Sequence, residues 1–365
     1  MLPSRFHPPH ELARELLEFP RPRRLLAAGS SRRYRDPALV EHLVEQCFEH
    51  RHGDPDKMLD SAETAVAVAR QLPPSASASD ARCRAYLHLS NSHRRRGEFE
   101  LSATAMEQAK TAWASGSQKP ALRAEKERLE GALLHDLRQL DAAASSFRTA
   151  AELYRSLGDT ENCASALIKE GMSLIEAGDP QKGLVAFYNA LAALAVIEDR
   201  ADNKLRMSAF QCFCWGLCEA GKYEHAHALS RQCSRLFFST KEPGIALRVE
   251  LLNAQIDDGL GHRVAAEQGY ERCREGFAAA GMLYERALAT LHLAGLLAGE
   301  GRTSEVRELC REVSEVFDAL GIARESTAAS LLRDAMESPK VGLLKAALHY
   351  LEREVRQPAR RGTAG

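Results

Sequence analysis

No apolar run in the 365 residues approaches the roughly 20 needed to cross a bilayer, and even LLAAG, from Leu25, is flanked by arginines. No membrane partner is expected. Neither sign of charge is in surplus, with 49 Lys and Arg against 50 Asp and Glu and a net charge of -1, so nothing draws the whole chain to nucleic acid or an anionic surface. The nine cysteines are odd in number and scattered, which excludes a compact secreted disulfide framework. The N-terminus lacks the basic, apolar and small-residue order of a signal peptide, and the cytoplasm is the expected compartment. Alternating β-branched runs closed by Asn-Gly or Asp-Gly are missing, which argues against strands. HExxH, GxSxG and GxGxxG are absent too, and no convergent nucleophile and base stand out. The expectation is a non-enzyme without cofactor or metal.

What the sequence does contain is a repeat. GEFELS at Gly97, RQLDAA at Arg138, GDPQKG at Gly178, GKYEHA at Gly221, GHRVAA at Gly261 and GRTSEV at Gly301 recur at spacings of 41, 40, 43, 40 and 40 residues. A further copy, GDPDKM at Gly53, lies 44 residues upstream of the first. Between these turns the apolar residues follow a helical period, as in YLHLSNSH and SLIEAG, and prolines fall mostly at turns. Each unit therefore holds two helices joined by a short turn, neither able to bury its apolar face without the next unit.

The residues around the turns resemble tetratricopeptide repeats. The unit at Gly97 carries Tyr86, Leu89, Ser90, Phe99, Ser102, Met106 and Ala109 at the offsets of that motif. Gly131, Leu140, Ala143, Phe147 and Ala150 do so around Arg138, and Leu167, Gly171, Gly183, Phe187 and Ala190 around Gly178. Short side chains let the paired helices cross closely while an aromatic fills the space beside them. Two departures are the period near 40 and the glutamates, Glu130 and Glu170, at the usual Leu position; the period is nearer that of HEAT-like arrays, but the small and aromatic offsets favour the tetratricopeptide reading. The resemblance implies an all-α fold, a right-handed α-α superhelical solenoid of long helix pairs, as in bacterial signalling and regulatory proteins. It divides the chain into a basic N-terminal cap (1–35), about seven repeats (36–325), capping helices (326–355) and a disordered tail (356–365).

On this grid the stretch CFCWGLC, Cys212 to Cys218, reads as packing. Cys214 takes the small position before Gly221, Cys233 and Cys273 take Ala positions, and Cys310 an aromatic one. Free cysteine behaves as a small hydrophobe there. Cys214 and Cys218 share a helix face but Cys212 does not, which disfavours a metal cluster. GLCEAGK, Gly216 to Lys222, matches the start of a P-loop, but Tyr223 stands where Ser or Thr must hold magnesium, and a helix precedes it. The pairs His50/His52 and His225/His227 are two residues apart and point to different faces.

The resemblance implies ligand binding on the first helix of each unit, along a concave groove. The groove positions are Arg84, Leu87, Asn91, Arg94 and Arg95, then Glu125, Arg128, Ala132 and His135. Farther along come Ile168, Met172 and Ile175, then Gln211, Trp215 and Cys218, then Arg248, Leu251 and Gln255. This order suggests a groove basic at one end and apolar in its middle. The expected function is a scaffold binding a protein or peptide, as sensor, adaptor or inhibitory partner in a bacterial regulatory system. Residues 1–35, with eight arginines and three glutamates, raise an alternative: a nucleic-acid-associated regulator. The bland reading is a cap packed through Leu16, Leu17, Leu25 and Leu26.

Overall fold

The computed structural model describes residues 8–50, 54–197, 203–238 and 243–319, with Asp334 and Glu337 beyond them. Among these residues all regular structure is helical. The chain divides into two compact units, Met1–Asp159 and Thr160–Gly365. The turn at Gly53, most of the expected C-terminal cap and the tail lie outside the described residues.

The first unit begins with α1 (Pro9–Glu18), α2 (Arg21–Ser30) and a single 3-10 turn, η1 (Arg32–Tyr34). Three helix pairs follow: α3 (Pro37–His50) with α4 (Pro55–Gln71), α5 (Ala76–Arg95) with α6 (Phe99–Ala114), and α7 (Pro120–Asp136) with α8 (Leu140–Ser156). The first helices of successive pairs also meet, α3 on α5 and α5 on α7. Leu12, Leu16 and Ala28 of the leading helices join Leu39, Val40, Leu43 and Val44 in one apolar core. Leu17 packs against that core, whereas Leu26 stands in solvent, 70% exposed, and contributes nothing to the cap.

The second unit contains four pairs: α9 (Thr160–Glu176) with α10 (Pro180–Val196), α11 (Asn203–Glu219) with α12 (Tyr223–Phe238), α13 (Pro243–Gly259) with α14 (Arg263–Ala279), and α15 (Leu283–Gly299) with α16 (Thr303–Ala319). Its first helices again meet in order, α9 on α11, α11 on α13 and α13 on α15.

Each described repeat turn reverses the chain through one left-handed residue. Gly97, Gly178, Gly221, Gly261 and Gly301 have φ between 69° and 94°, and Arg138, in the same slot, has φ 61°. The geometry recurs because it satisfies the carbonyls at the helix end. At Gly97, for example, the Glu98 amide donates to His93 O (2.9 Å) and the Gly97 amide to Arg94 O (3.0 Å). Asp179 then starts α10 by accepting from the Lys182 amide (3.1 Å).

Close crossing sets the residue sizes within a pair. A β-carbon on Gly171 would lie 2.5 Å from the Phe187 ring, and one on Gly131 3.1 Å from the Phe147 ring. The repeat at Gly97 uses serines instead, with Ser90 Oγ and Ser102 Oγ 3.0 Å apart. In the repeat at Gly221, Cys214 Sγ approaches Ala226 O at 4.0 Å. Glu130, at a position where the motif has Leu, is held by Lys110 (2.8 Å) and Lys126 (3.0 Å). Burial raises its pKa, but hydrogen bonds from both lysines outweigh that and keep it ionised.

Candidate functional site

In the first unit, three first helices bring their charges together. Arg84 on α5 donates through Nε to Glu125 of α7 (3.0 Å) and pairs through Nη1 with Glu41 of α3. Arg84 Nη2 has no hydrogen-bond partner among the described residues. Buried His88, one turn on, places Nε2 2.9 Å from the other Glu125 oxygen. Burial works to raise the Glu125 pKa, but the His88 hydrogen bond and the charges of His88, Arg84 and Arg128 prevail and hold it at about 2. Arg128 turns its Nε to the hydroxyl of Tyr154 on α8 (3.3 Å).

A second polar group forms near the end of α5. Arg94 grips Asn91 Oδ1 through Nε (3.1 Å) and Nη2 (2.9 Å), and reaches Asp136 of α7 at 2.5 Å. Partial burial, and after it the like charge of Arg94, lower the pKa of Arg95, with Asp136 opposing. His135 is half-buried and partnered. Arg84 and Arg94 thus stand among acceptors, so this end is charge-balanced where the sequence suggested a basic one. Leu87 is a correction: it is fully buried in the core of the unit and offers no surface to a ligand.

In the second unit the first helices carry mainly apolar side chains at these positions. Trp215 on α11 is half-buried and packs on the cluster of Leu184, Cys214, Leu217, Cys218, Ala226, Leu252 and Ile256. Met172 and Gln211 are half-buried, while Arg248 is exposed and paired with Glu285. Gln255 Nε2 lies 2.7 Å from His292 Nε2. An amide nitrogen only donates, so His292 accepts there and carries its proton on Nδ1. The imidazole stacks on Tyr270 with centroids 5.5 Å apart, and burial lowers its pKa to about 4. Ile168, Ile175, Leu251 and Cys218 belong to the packed interior, a second correction to the surface expected of these positions.

His88, Glu41, Asp136, Tyr154, His292 and Tyr270 were not among the residues singled out from the sequence. Glu41 and Glu125 had a legible signal, because they lie 43 residues before and 41 residues after Arg84. They are the equivalent positions of the neighbouring repeats. Buried His88 had none.

The cysteines pack as their repeat positions suggest. Burial pushes the thiols of Cys47, Cys83, Cys214, Cys218 and Cys273 up to about 12, and those of Cys233 and Cys310 to about 11. Among the described residues no group of three or more His, Cys, Asp or Glu is placed to hold a metal, and no helix is long and apolar enough to cross a membrane. In GLCEAGK, Gly216 is a packing residue of α11: a β-carbon there would meet Ile175 at 2.9 Å and Phe187 at 3.0 Å. Lys222 reaches Gln181 (3.1 Å).

Four of the eight N-terminal arginines are held by contacts within their own unit. Arg21 forms a two-point pair with Glu63 of α4 (2.7 and 2.6 Å), Arg24 is buried against Asp60, Arg33 pairs with Glu15 (2.6 Å), and Arg23 lies over the Phe19 ring (4.4 Å). These contacts fix the segment to its own unit and leave fewer charges for phosphate.

No protein-family model matches the chain, and no curated protein matches it in sequence. Solved structures do. A Rap protein complexed with competence and sporulation factor is similar over 88% of both chains, at 12% identity and TM-score 0.62. Aspartyl phosphate phosphatase F from Bacillus subtilis is similar over 84% of this chain and 80% of its own, at 13% identity and TM-score 0.58. NprR in complex with its cognate peptide NprX is similar over 86% and 82%, at 12% identity and TM-score 0.54. At these identities the likeness concerns the fold: the chain is an all-α protein of tetratricopeptide-like helix pairs.

Proposed function

We propose that this chain is a non-catalytic scaffold of a bacterial regulatory system, acting in the cytoplasm, whose ligand is a peptide held on the first helices of its pairs. The observation that carries the reading is the polar row of α5 and α7. Arg84, Asn91, Arg94 and Arg128 are half-buried and already oriented by Glu41, Glu125, Asp136 and Tyr154. Such side chains lose little freedom on binding and offer directional bonds to a peptide backbone or carboxylate. On the second unit, taken by itself, Met172 and Trp215 give the first helices adaptable apolar area. Two proteins of similar fold were solved in complex, one with its cognate peptide and one with competence and sporulation factor, and the first of these favours a peptide over a folded domain.

The test is capture of peptides from a host lysate, read by mass spectrometry, comparing the intact chain with Asn91→Ala/Arg128→Ala at equal helicity. A peptide retained only by the intact chain supports the assignment. Equal retention by both removes it. The nucleic-acid alternative predicts steeply salt-dependent binding to DNA or RNA that vanishes when residues 1–35 are deleted.

A further inference from the structure

One helix of the second unit faces solvent with the wrong chemistry. From Gly183 to Ile197 the sequence of α10 has no charged residue. Its inner face packs on α9 and α11 through Gly183, Leu184, Phe187, Ala190 and Leu194. Its outer face exposes Val185 (61%), Tyr188 (63%) and Val196 (81%), with Ala192 and Ala195 exposed between them. Equivalent outer positions on other second helices are polar: α8 presents Ser145, Arg148, Glu152 and Arg155, and α14 presents Gln268, Glu271 and Glu275. Solvent does not explain an uncharged stripe of this length.

The spacing is that of a helix seam. Residues 185, 188, 192 and 195/196 advance by three and four and fall within about a third of the helix circumference. Among the described residues of this unit they belong to no packed cluster. We infer that α10 is a self-association surface, pairing antiparallel with α10 of a second copy of this chain about a two-fold axis. Self-complementarity argues for that occupant over another helix. Antiparallel pairing sets Tyr188 against Ala192 of the second copy, and Ala192 against its Tyr188, so a large side chain meets a small one at both sites. Val185 then meets Ala195 at either end, with Val196 beside it. A two-fold interface requires this reciprocity, since each residue must meet its partner's partner.

The stripe offers roughly half of the ~800 Å² per partner in a standard interface, so the dimer is weak and concentration-dependent. Light scattering on the full chain at rising concentration should show the mass climb from 40.2 kDa toward twice that value. Val196→Glu, on a side chain already in solvent, should return the monomer without lowering helicity, and Val185→Glu should do the same. The register has its own test. Mixed Tyr188→Cys and Ala192→Cys proteins should cross-link on oxidation faster than either alone. A monomer throughout the accessible concentration range overturns the inference. So does a dimer unaffected by both glutamates, or cross-linking that favours Tyr188→Cys with itself, the mark of a parallel pair.

Discussion

Glu125 and His88 meet at 2.9 Å across the junction of α7 and α5, with Arg84 on the second carboxylate oxygen. Arg84 is the hub of the polar row, because from α5 it joins the carboxylates of Glu41 on α3 and Glu125 on α7.

Glu125 should therefore make the first unit acid-labile. Its folded pKa, about 2, lies below the ordinary value of 4.5, so its contribution is present above that ordinary value and is lost as pH falls from there through about 2. Chemical denaturation between pH 6 and 2.5 should show a shallower acid slope in Glu125→Gln. The same variant should cost about 1–3 kcal/mol at neutral pH by taking the carboxylate from buried His88 and leaving Arg84 with Glu41 alone.

His292 acts in a higher window. Its folded pKa near 4 lies below the usual 6.5, so the unfolded chain takes up the proton first. Stability is full above about pH 6.5 and declines as pH falls toward 4. A proton titration followed by NMR should find the imidazole midpoint near 4, and a midpoint near 6.5 would contradict the burial.

Gly171 admits no side chain. Gly171→Ala should destabilise the second unit by about 1–3 kcal/mol through its clash with Phe187. Adding Phe187→Leu should recover part of the loss, and a double-mutant cycle in thermal unfolding measures how much.

Arg138 stands in a left-handed slot that glycine fills at the other described repeat turns. Arg138→Gly should relieve about 1 kcal/mol of backbone strain, set against whatever its side-chain contacts contribute. The folding midpoint should rise slightly, and a fall would show that those contacts dominate.

Thiol labelling of the native chain should find one fast site. Cys212 is half-buried while the other eight cysteines are buried, and seven of those have pKa values raised to about 11 or 12 by burial. Cys212→Ser should abolish the fast phase, and a second fast thiol would mean that part of the core opens readily.

The architecture was legible because its signals are local. A turn glycine needs a left-handed backbone, and a small residue seven before the turn must meet the residues nine and five after it, so Gly97, Gly171 and Phe187 declared themselves by spacing alone. The candidate site was legible only by position. Helical period places Leu87 and Ile168 near the face of Arg84 and Met172, but a few tens of degrees of rotation decide between groove and core, and neighbouring helices set that rotation. Charge told still less. Eight N-terminal arginines read as a surplus until Glu63, Asp60 and Glu15 are found folded against three of them.

The order of charges along the first helices also restricts how this array can be rearranged. Glu41, Arg84 and Glu125 occupy equivalent places in three successive repeats, each carrying the sign its neighbour needs. Helix pairs of similar shape are in principle interchangeable units. Here they are keyed, because excising α5 and α6 to join α4 directly to α7 would set Glu41 against Glu125, two carboxylates with no cation between them.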